Sequence, residues 1–309
     1  MAKYILKRVA FSFITLLIIA SITFFLMKLM PGTPFTAQEK LTEVQIEILN
    51  EKYNLNDPVP VQYAKYIGNM LKGDLGVSFQ FDNRNVTDLI LDRIGPSAHL
   101  GLQTLIFGAI AGIIFGVIAA LKQNTMWDYG STFLAVLGKS IPNFVFAGML
   151  QYFIGVKLGW FPVAFWEGPS YTVMPTIANA MFTLAVAARF MRTEMIEVLS
   201  SDYIVTAKAK GLSSAVVTIK HGLRNGLIPL VTVLGPLAAG LLTGSLVIER
   251  IFAIPGLGEQ FVRSITTNDF PMIMGITLFY SVFLIFVILL VDILYGIIDP
   301  RIRLAGGNK

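Results

Sequence analysis

Long apolar runs separated by short polar stretches dominate the chain. They lie at about residues 9–30, 100–121, 129–154, 173–190, 230–251 and 272–298. Each is near the roughly 20 residues that an α-helix needs to cross the hydrocarbon of a bilayer. The first run lacks the small-residue cleavage site of a secretory signal, so we expect it to be retained. The pattern predicts an all-α integral membrane protein with six transmembrane helices.

Composition agrees with this class. Hydrophobic residues make up 55% of the 309 and charged residues 14%, and the mean hydropathy is +0.69, far from the profile of a soluble domain. The net charge of +5 belongs to the loops that flank the membrane, which argues against a nucleic-acid partner. The absence of cysteine excludes structural disulfides and thiolate metal sites.

The distribution of Lys and Arg predicts the orientation. Six spans place both termini on one side, and short loops on that side carry thirteen Lys and Arg against three on the other. Because cytoplasmic loops are enriched in basic residues, both termini and the central loop are expected in the cytoplasm. The predicted organisation begins with a cytoplasmic N-terminus and the first transmembrane helix at 1–30. An extracytoplasmic segment at 31–95, a five-helix core at 96–298 and a cytoplasmic tail at 299–309 follow.

Two amphipathic helices are predicted in the extracytoplasmic segment. The first rests on a Thr36–Glu39 capping box and on the spacing of Leu41, Val44, Ile48 and Leu55. The second rests on Tyr63, Tyr66, Ile67, Met70 and Leu71, with an end at Gly73. The segment is therefore expected to be helical rather than disordered.

The one long polar interruption in the second half of the chain is residues 194–229, here called the central loop. Ser200, Ser201 and Asp202 offer N-caps for a short helix, and Gly211 is placed to end it. Ser213 or Ser214 can cap a second helix that runs toward Asn225. This predicts a helix–turn–helix between two spans, either as a docking element or as an ordinary loop whose charges only fix topology.

The amino-acid sequence of the central loop favours a role as a docking element. It resembles the ATPase-docking cytoplasmic loop of ABC-importer permeases of the oligopeptide, dipeptide and nickel family. Nine residues carry this expected role: Asp202, Tyr203, Ala207, Lys208, Lys210, Gly211, His221, Arg224 and Asn225. The wider importer motif holds only in part, because Val205, Thr206 and Arg224 depart from it.

The resemblance continues to both ends of the chain, through Met30-Pro31-Gly32, the stretch 249–258 and Asp269-Phe270-Pro271. It implies a six-helix permease of a type I ABC importer in a bacterial cytoplasmic membrane. The implied partners are a second permease subunit, two cytoplasmic ATPase subunits that hold ATP and Mg, and an extracytoplasmic peptide-binding protein. This chain itself would bind no cofactor and would not be an enzyme, and it has no phosphate-binding loop motif.

Polar residues inside spans are functional candidates by default. Lys139, Asn143, Gln151 and Asn179 are the candidates for lining a pathway, and Lys139 could instead pair with a carboxylate of a partner chain. Pro142 is expected to kink the third span. Small residues spaced four apart, at Gly108, Gly112 and Gly116 and again at 235–244, predict close helix packing, within the chain or between subunits.

Oligopeptides are the expected substrate, with dipeptides or nickel as alternatives. The only histidines are His99 and His221, predicted on opposite sides of the membrane, and they form no metal-ligand cluster in sequence. A self-contained secondary transporter is the remote alternative, which would need carboxylates at mid-membrane and internal repeats. A membrane enzyme would need a nucleophile–base or metal pair within the spans.

Overall fold

The structure is a computed structural model that describes residues 2–30, 42–52, 54–81 and 84–298. The described residues are mainly helical, and their only β-pairing is an isolated bridge between Val77 and Asn85. In chain order the helices are α1 (Ala2–Lys28), α2 (Glu43–Lys52), α3 (Val59–Leu71), α4 (Val86–Leu121), α5 (Met126–Ser140), α6 (Asn143–Leu150), a π-helix π1 (Gln151–Lys157), α7 (Pro169–Leu199), α8 (Asp202–Ala209), α9 (Ser214–Val216), π2 (Val217–Leu223), α10 (Arg224–Leu242), α11 (Leu246–Ile251), α12 (Leu257–Thr266) and α13 (Phe270–Ile298).

The membrane-length helices correspond to the six predicted spans. Five stretches are long and apolar enough to cross a bilayer: Arg8–Lys28, Val86–Leu121, Pro169–Leu199, Ser214–Ile251 and Phe270–Leu290. A sixth forms if Met126–Ser140 and Asn143–Lys157, bent by 105°, count as one span. The bend confirms the predicted kink at Pro142, because Ile141 before it is extended, as a residue preceding proline prefers.

Two helix boundaries differ from the sequence prediction. α4 begins at Val86, well before the apolar run at about residue 100. The sequence prediction placed the start too late because the first turns of the helix carry polar residues, which lower the local hydropathy. The predicted span at 230–251 is interrupted after Leu242, where Gly244 takes φ +98° and starts the turn into α11. A side chain at Gly244 would also meet Glu249, since a Cβ there would lie 2.6 Å from Glu249 Oε1.

The chain divides into two compact units. The first comprises residues 1–95 and 256–285. Here α3 ends at Leu71 and Gly73 takes φ +81°, which confirms the second predicted outer helix and its end. α3 packs against α1 through a cluster around Phe24 and Met27 that includes Tyr63 and Tyr66. Of the first predicted helix, α2 is present, while Thr36, Glu39 and Leu41 lie outside the described residues.

Asp269 ties the two sequence parts of this first unit together. Its carboxylate accepts hydrogen bonds from the Ser78 hydroxyl and, at 3.1 Å, from the Phe79 N–H. Close by, the Gln80 side-chain amide donates to the Thr267 carbonyl at 3.0 Å. Burial raises the pKa of Asp269, while the hydrogen bonds that it accepts from Ser78 and Phe79 oppose that rise.

The second unit comprises residues 96–255 and 286–309. Its centre is the packing of α4 against α7. A Cβ at Gly112 would lie 2.5 Å from Ala187 Cβ, and one at Gly116 would lie 2.6 Å from the Ala188 carbonyl oxygen. The first glycine stripe therefore packs within the chain, one of the two predicted alternatives. Gly240, in the second stripe, has nothing within 4 Å of such a Cβ.

Candidate functional site

The turn of the central loop is built on Gly211. α8 ends at Ala209, and Gly211 takes φ +80°, where residues with a Cβ are strained. Its N–H donates to the Lys208 carbonyl at 2.9 Å, and the Leu212 N–H reaches the Ala207 carbonyl at 3.4 Å. A Cβ at Gly211 would meet nothing within 4 Å, so the position demands the conformation rather than the space.

A small core holds the two arms of the hairpin together. Ile204 and Ala207 of α8 are buried against Val217 of π2, with Val198 and Leu199 at the end of α7 beside them. Ala207 therefore has a packing role, whereas Lys208 and Lys210 on the same helix end are exposed. The expected docking residues divide into a buried set that shapes the hairpin and an exposed set that can meet a partner.

A polar contact closes the hairpin at its base. The Asn225 amide donates to the Tyr203 hydroxyl at 3.0 Å and to the His221 carbonyl at 3.0 Å. The sequence analysis singled out all three residues. His221 and Asn225 lie 18 and 22 positions after Tyr203, and the fold brings the three together. Asp202 and Arg224 are exposed nearby in sequence, at the starts of α8 and α10.

Two expectations for this loop were wrong in detail. Ser201 and Ser213 occupy N-cap positions but make no side-chain cap, and the Ser201 hydroxyl instead donates to the Val198 carbonyl at 2.5 Å. The second loop helix does not stop at Asn225, because α9, π2 and α10 follow one another without a break. Helical continuity couples the loop directly to the fifth span, which a sequence search for caps and breakers could not reveal.

The exposed face of the hairpin is both apolar and basic. Val205, Ile219 and Val216 are 61%, 65% and 40% exposed, and they share the hairpin with Lys208, Lys210 and Lys220. Exposed apolar side chains framed by charge are typical of a protein-interaction surface. We call this set of six residues the coupling surface.

Lys139 lies in a cavity of about 400 Å³ between α5 and α7. At one end of this cavity Asp128 accepts two hydrogen bonds from Arg192, at 2.6 Å from Nε and 2.8 Å from Nη2, and a third from the Asn124 N–H at 3.0 Å. This bidentate pair, in which Asp128 is buried, fixes the start of α5 to the end of α7. Sequence analysis missed it, because a single Asp at the edge of an apolar run gives no signal of its partner.

The other predicted pathway residues do not line that cavity. The Gln151 amide donates to the carbonyls of Val163 and Ile251, at 2.7 and 3.1 Å, and so joins elements of the second unit. Asn179 is buried in α7, and its amide nitrogen has no hydrogen-bond partner among the described residues. Asn143 begins α6 after the bend. A pathway role for these four residues stays a prediction.

Comparison with known proteins adds three findings. The family model described as "Binding-protein-dependent transport system inner membrane component" matches residues 112–304, and its N-terminal companion, "Binding-prot-dependent transport system membrane comp, N-term", matches residues 1–101. The chain is 49% identical over 304 residues to the dipeptide transport system permease protein DppB of Lactococcus lactis subsp. cremoris, covering 98% of this chain and 100% of that one.

Two further relatives and one solved structure are also similar to this chain. DppB of Bacillus subtilis is 46% identical, over 98% of this chain and 99% of that protein. The oligopeptide transport system permease protein OppB of Haemophilus influenzae is 41% identical, over 98% and 100%. A crystal structure of an amino acid ABC transporter with histidines matches with a TM-score of 0.53 at 16% identity, covering 67% of this chain and 93% of that chain.

Proposed function

The chain belongs to the family of binding-protein-dependent transport system inner membrane components, and from that premise we propose that it forms half of a peptide-conducting pathway driven by ATP. It is an integral membrane permease subunit of an ABC importer. The finer proposal is that its cargo is short peptides handed over by an extracytoplasmic binding protein. ATP would be hydrolysed with Mg on two partner ATPase subunits, and a second permease would complete the pathway.

The observation that carries this proposal is the coupling surface. The hairpin presents apolar and basic side chains, and its second arm continues as one helical run from Ser214 into the fifth span. A partner that moves the hairpin would therefore move the span with it. Rigid-body motion of this kind can switch a cavity between the two faces of the membrane. The basic residues suit a cleft on the ATPase that carries acidic side chains.

Relative identities favour dipeptides over the oligopeptides preferred from sequence. The two relatives named for dipeptide transport share 49% and 46% of residues with this chain, against 41% for the relative named for oligopeptide transport. The difference is small, and the binding protein rather than the permease selects the cargo. We accordingly propose short peptides as the class and dipeptides as the first candidate.

The test is uptake by the complete transporter in proteoliposomes, with its binding protein outside and ATP inside. We expect accumulation of a labelled dipeptide, slower accumulation of a tetrapeptide, and none without ATP. Faster uptake of the tetrapeptide would restore the oligopeptide assignment. Uptake of nickel with no uptake of either peptide would refute the peptide class.

Topology is tested separately. We propose that both termini and the central loop are cytoplasmic, and the natural absence of cysteine makes labelling direct. Ser214→Cys should react with an impermeant thiol reagent only from the cytoplasmic side, and Asn69→Cys only from the outside, since both positions are exposed. Reaction of both from one side would contradict the six-span arrangement.

A further inference from the structure

We propose that the cavity between α5 and α7 binds the phosphate headgroup of an anionic phospholipid through Lys139 and Arg189. Both residues line this cavity of about 400 Å³, and both side chains are exposed. Among the described residues, neither side chain has an ion pair or a hydrogen bond to an acidic group. Arg192 and Asp128 neutralise each other, so the cavity carries two uncompensated positive charges.

The depth of the two cations suits a headgroup. Arg189 lies at the end of the apolar run at 173–190, where the hydrocarbon gives way to the interface. Lys139 follows Gly138, at which a Cβ would lie 2.7 Å from the Met181 carbonyl oxygen and 3.3 Å from Ala185 Cβ. Ala185 and Met181 are one and two turns, about 6 and 12 Å, deeper than Arg189 along α7. A lysine at that depth can extend its ammonium toward the interface, as basic residues near span ends commonly do.

The apolar part of the cavity offers surface for an acyl chain. On α5, Val136 lines the cavity and the neighbouring Phe133 lies outside its lining, at 55% and 62% exposed, and an acyl chain can lie along them. On either side of Asp128 in the sequence, Trp127 and Tyr129 are 67% and 60% exposed. Aromatic residues of this kind concentrate at the membrane–water boundary.

The two cations suit a phosphate group. Arginine can give two parallel N–H donors to a phosphate, and lysine adds a compact positive charge. Basic pockets between spans near the cytoplasmic surface are suited to anionic headgroups. Phosphatidylglycerol, with one net negative charge, is the probe of choice.

The experiment is native mass spectrometry of the intact transporter released from nanodiscs that contain phosphatidylglycerol and phosphatidylethanolamine in equal amounts. We expect retained phosphatidylglycerol, and a preference over phosphatidylethanolamine that falls about five-fold for each cation removed in Lys139→Met and Arg189→Gln. Lys122→Gln, which removes an exposed cation outside the cavity, should change nothing. Lys139→Arg and Arg189→Lys keep the charges and should retain most of the preference, which controls for misfolding.

Three results would overturn the proposal. An unchanged lipid preference in the Lys139→Met, Arg189→Gln double variant would remove the site. Displacement of the lipid by inorganic phosphate would mark a site for the free ion instead. Release of the second permease subunit by Lys139→Met, with the lipid preference intact, would assign the cation to a carboxylate of the partner chain.

Discussion

The side-chain amide of Asn225, at the start of α10, donates a hydrogen bond of 3.0 Å to the hydroxyl of Tyr203 in α8. The two residues are 22 positions apart and sit on opposite arms of the central-loop hairpin. Through this bond the first arm of the hairpin, which carries Val205, Lys208 and Lys210 of the coupling surface, is fastened to the helix that enters the membrane. The bond lies where force from an ATPase subunit would pass into the fifth span.

Loss of this bond should weaken coupling only modestly. Both groups are exposed, and a single neutral hydrogen bond contributes about 1 kcal/mol. We therefore expect Tyr203→Phe to lower peptide-stimulated ATP hydrolysis by a factor of about five or less. Asn225→Ala, which also removes the bond to the His221 carbonyl, should lower it further. Tyr152→Phe, an exposed tyrosine of π1, is the control, and a drop of equal size there would deny the bond a specific role.

Gly211 offers a test that separates conformation from space. Because φ is +80° and no atom lies within 4 Å of the position that a Cβ would take, the penalty for any side chain comes from the backbone alone. Asn tolerates the left-handed region better than Val does. We expect Gly211→Val to abolish uptake with normal membrane insertion, at a backbone cost of about 1–3 kcal/mol, and Gly211→Asn to retain most of it. Equal uptake by both variants would show that the turn conformation is irrelevant.

A matched pair of alanine substitutions tests the packing of α4 on α7. In Gly112→Ala the new methyl would lie 2.5 Å from Ala187 Cβ and 2.7 Å from the Leu184 carbonyl oxygen, so the helices must separate, at about 1–3 kcal/mol. In Gly240→Ala the methyl meets nothing, and the better helix propensity of alanine adds up to about 1 kcal/mol. The unfolding temperature in detergent should therefore fall for the first and hold or rise for the second. The reverse order would contradict the interface.

Asp269 predicts a pH dependence of stability. Burial raises its pKa, so the folded protein holds the proton more tightly than the unfolded chain, whose Asp pKa is about 3.9. The favourable contribution of the protonated form is complete below that value and is lost as pH rises through the folded-state pKa. Asp269→Asn should remove this decline from the unfolding temperature measured as pH is raised from about 4. Asp88→Asn, at an exposed position of the same unit, controls for expression and folding.

If the decline persists in Asp269→Asn, another group is responsible. A uniformly lower unfolding temperature with an unchanged slope would mean that Asp269 acts only through its hydrogen bonds to Ser78 and Phe79. The two effects are distinguishable because the first changes the slope and the second changes the level.

Much of this protein is determined by the sequence alone. Membrane spans follow from the length of apolar runs, because every backbone polar group in hydrocarbon must be satisfied within its own helix. The positive φ of Gly211 and Gly73 and the bend at Pro142 were equally predictable, since each depends on the local chemistry of one residue. The family, too, could be identified from local wording in the central loop and near the C-terminus.

Only the tertiary structure decided which distant groups meet. Asp128 forms an ion pair with Arg192, Asp269 accepts a hydrogen bond from Ser78, and Lys139 lines the same cavity as Arg189. No local sequence pattern predicts these partners. The continuity of the loop with the fifth span was also hidden. A serine at an N-cap position predicts where a helix starts, but it does not show that the helix runs on into the membrane. Pairings of this kind depend on how distant helices and loops pack, and close approach between them is a property of the folded chain rather than of any one stretch of it.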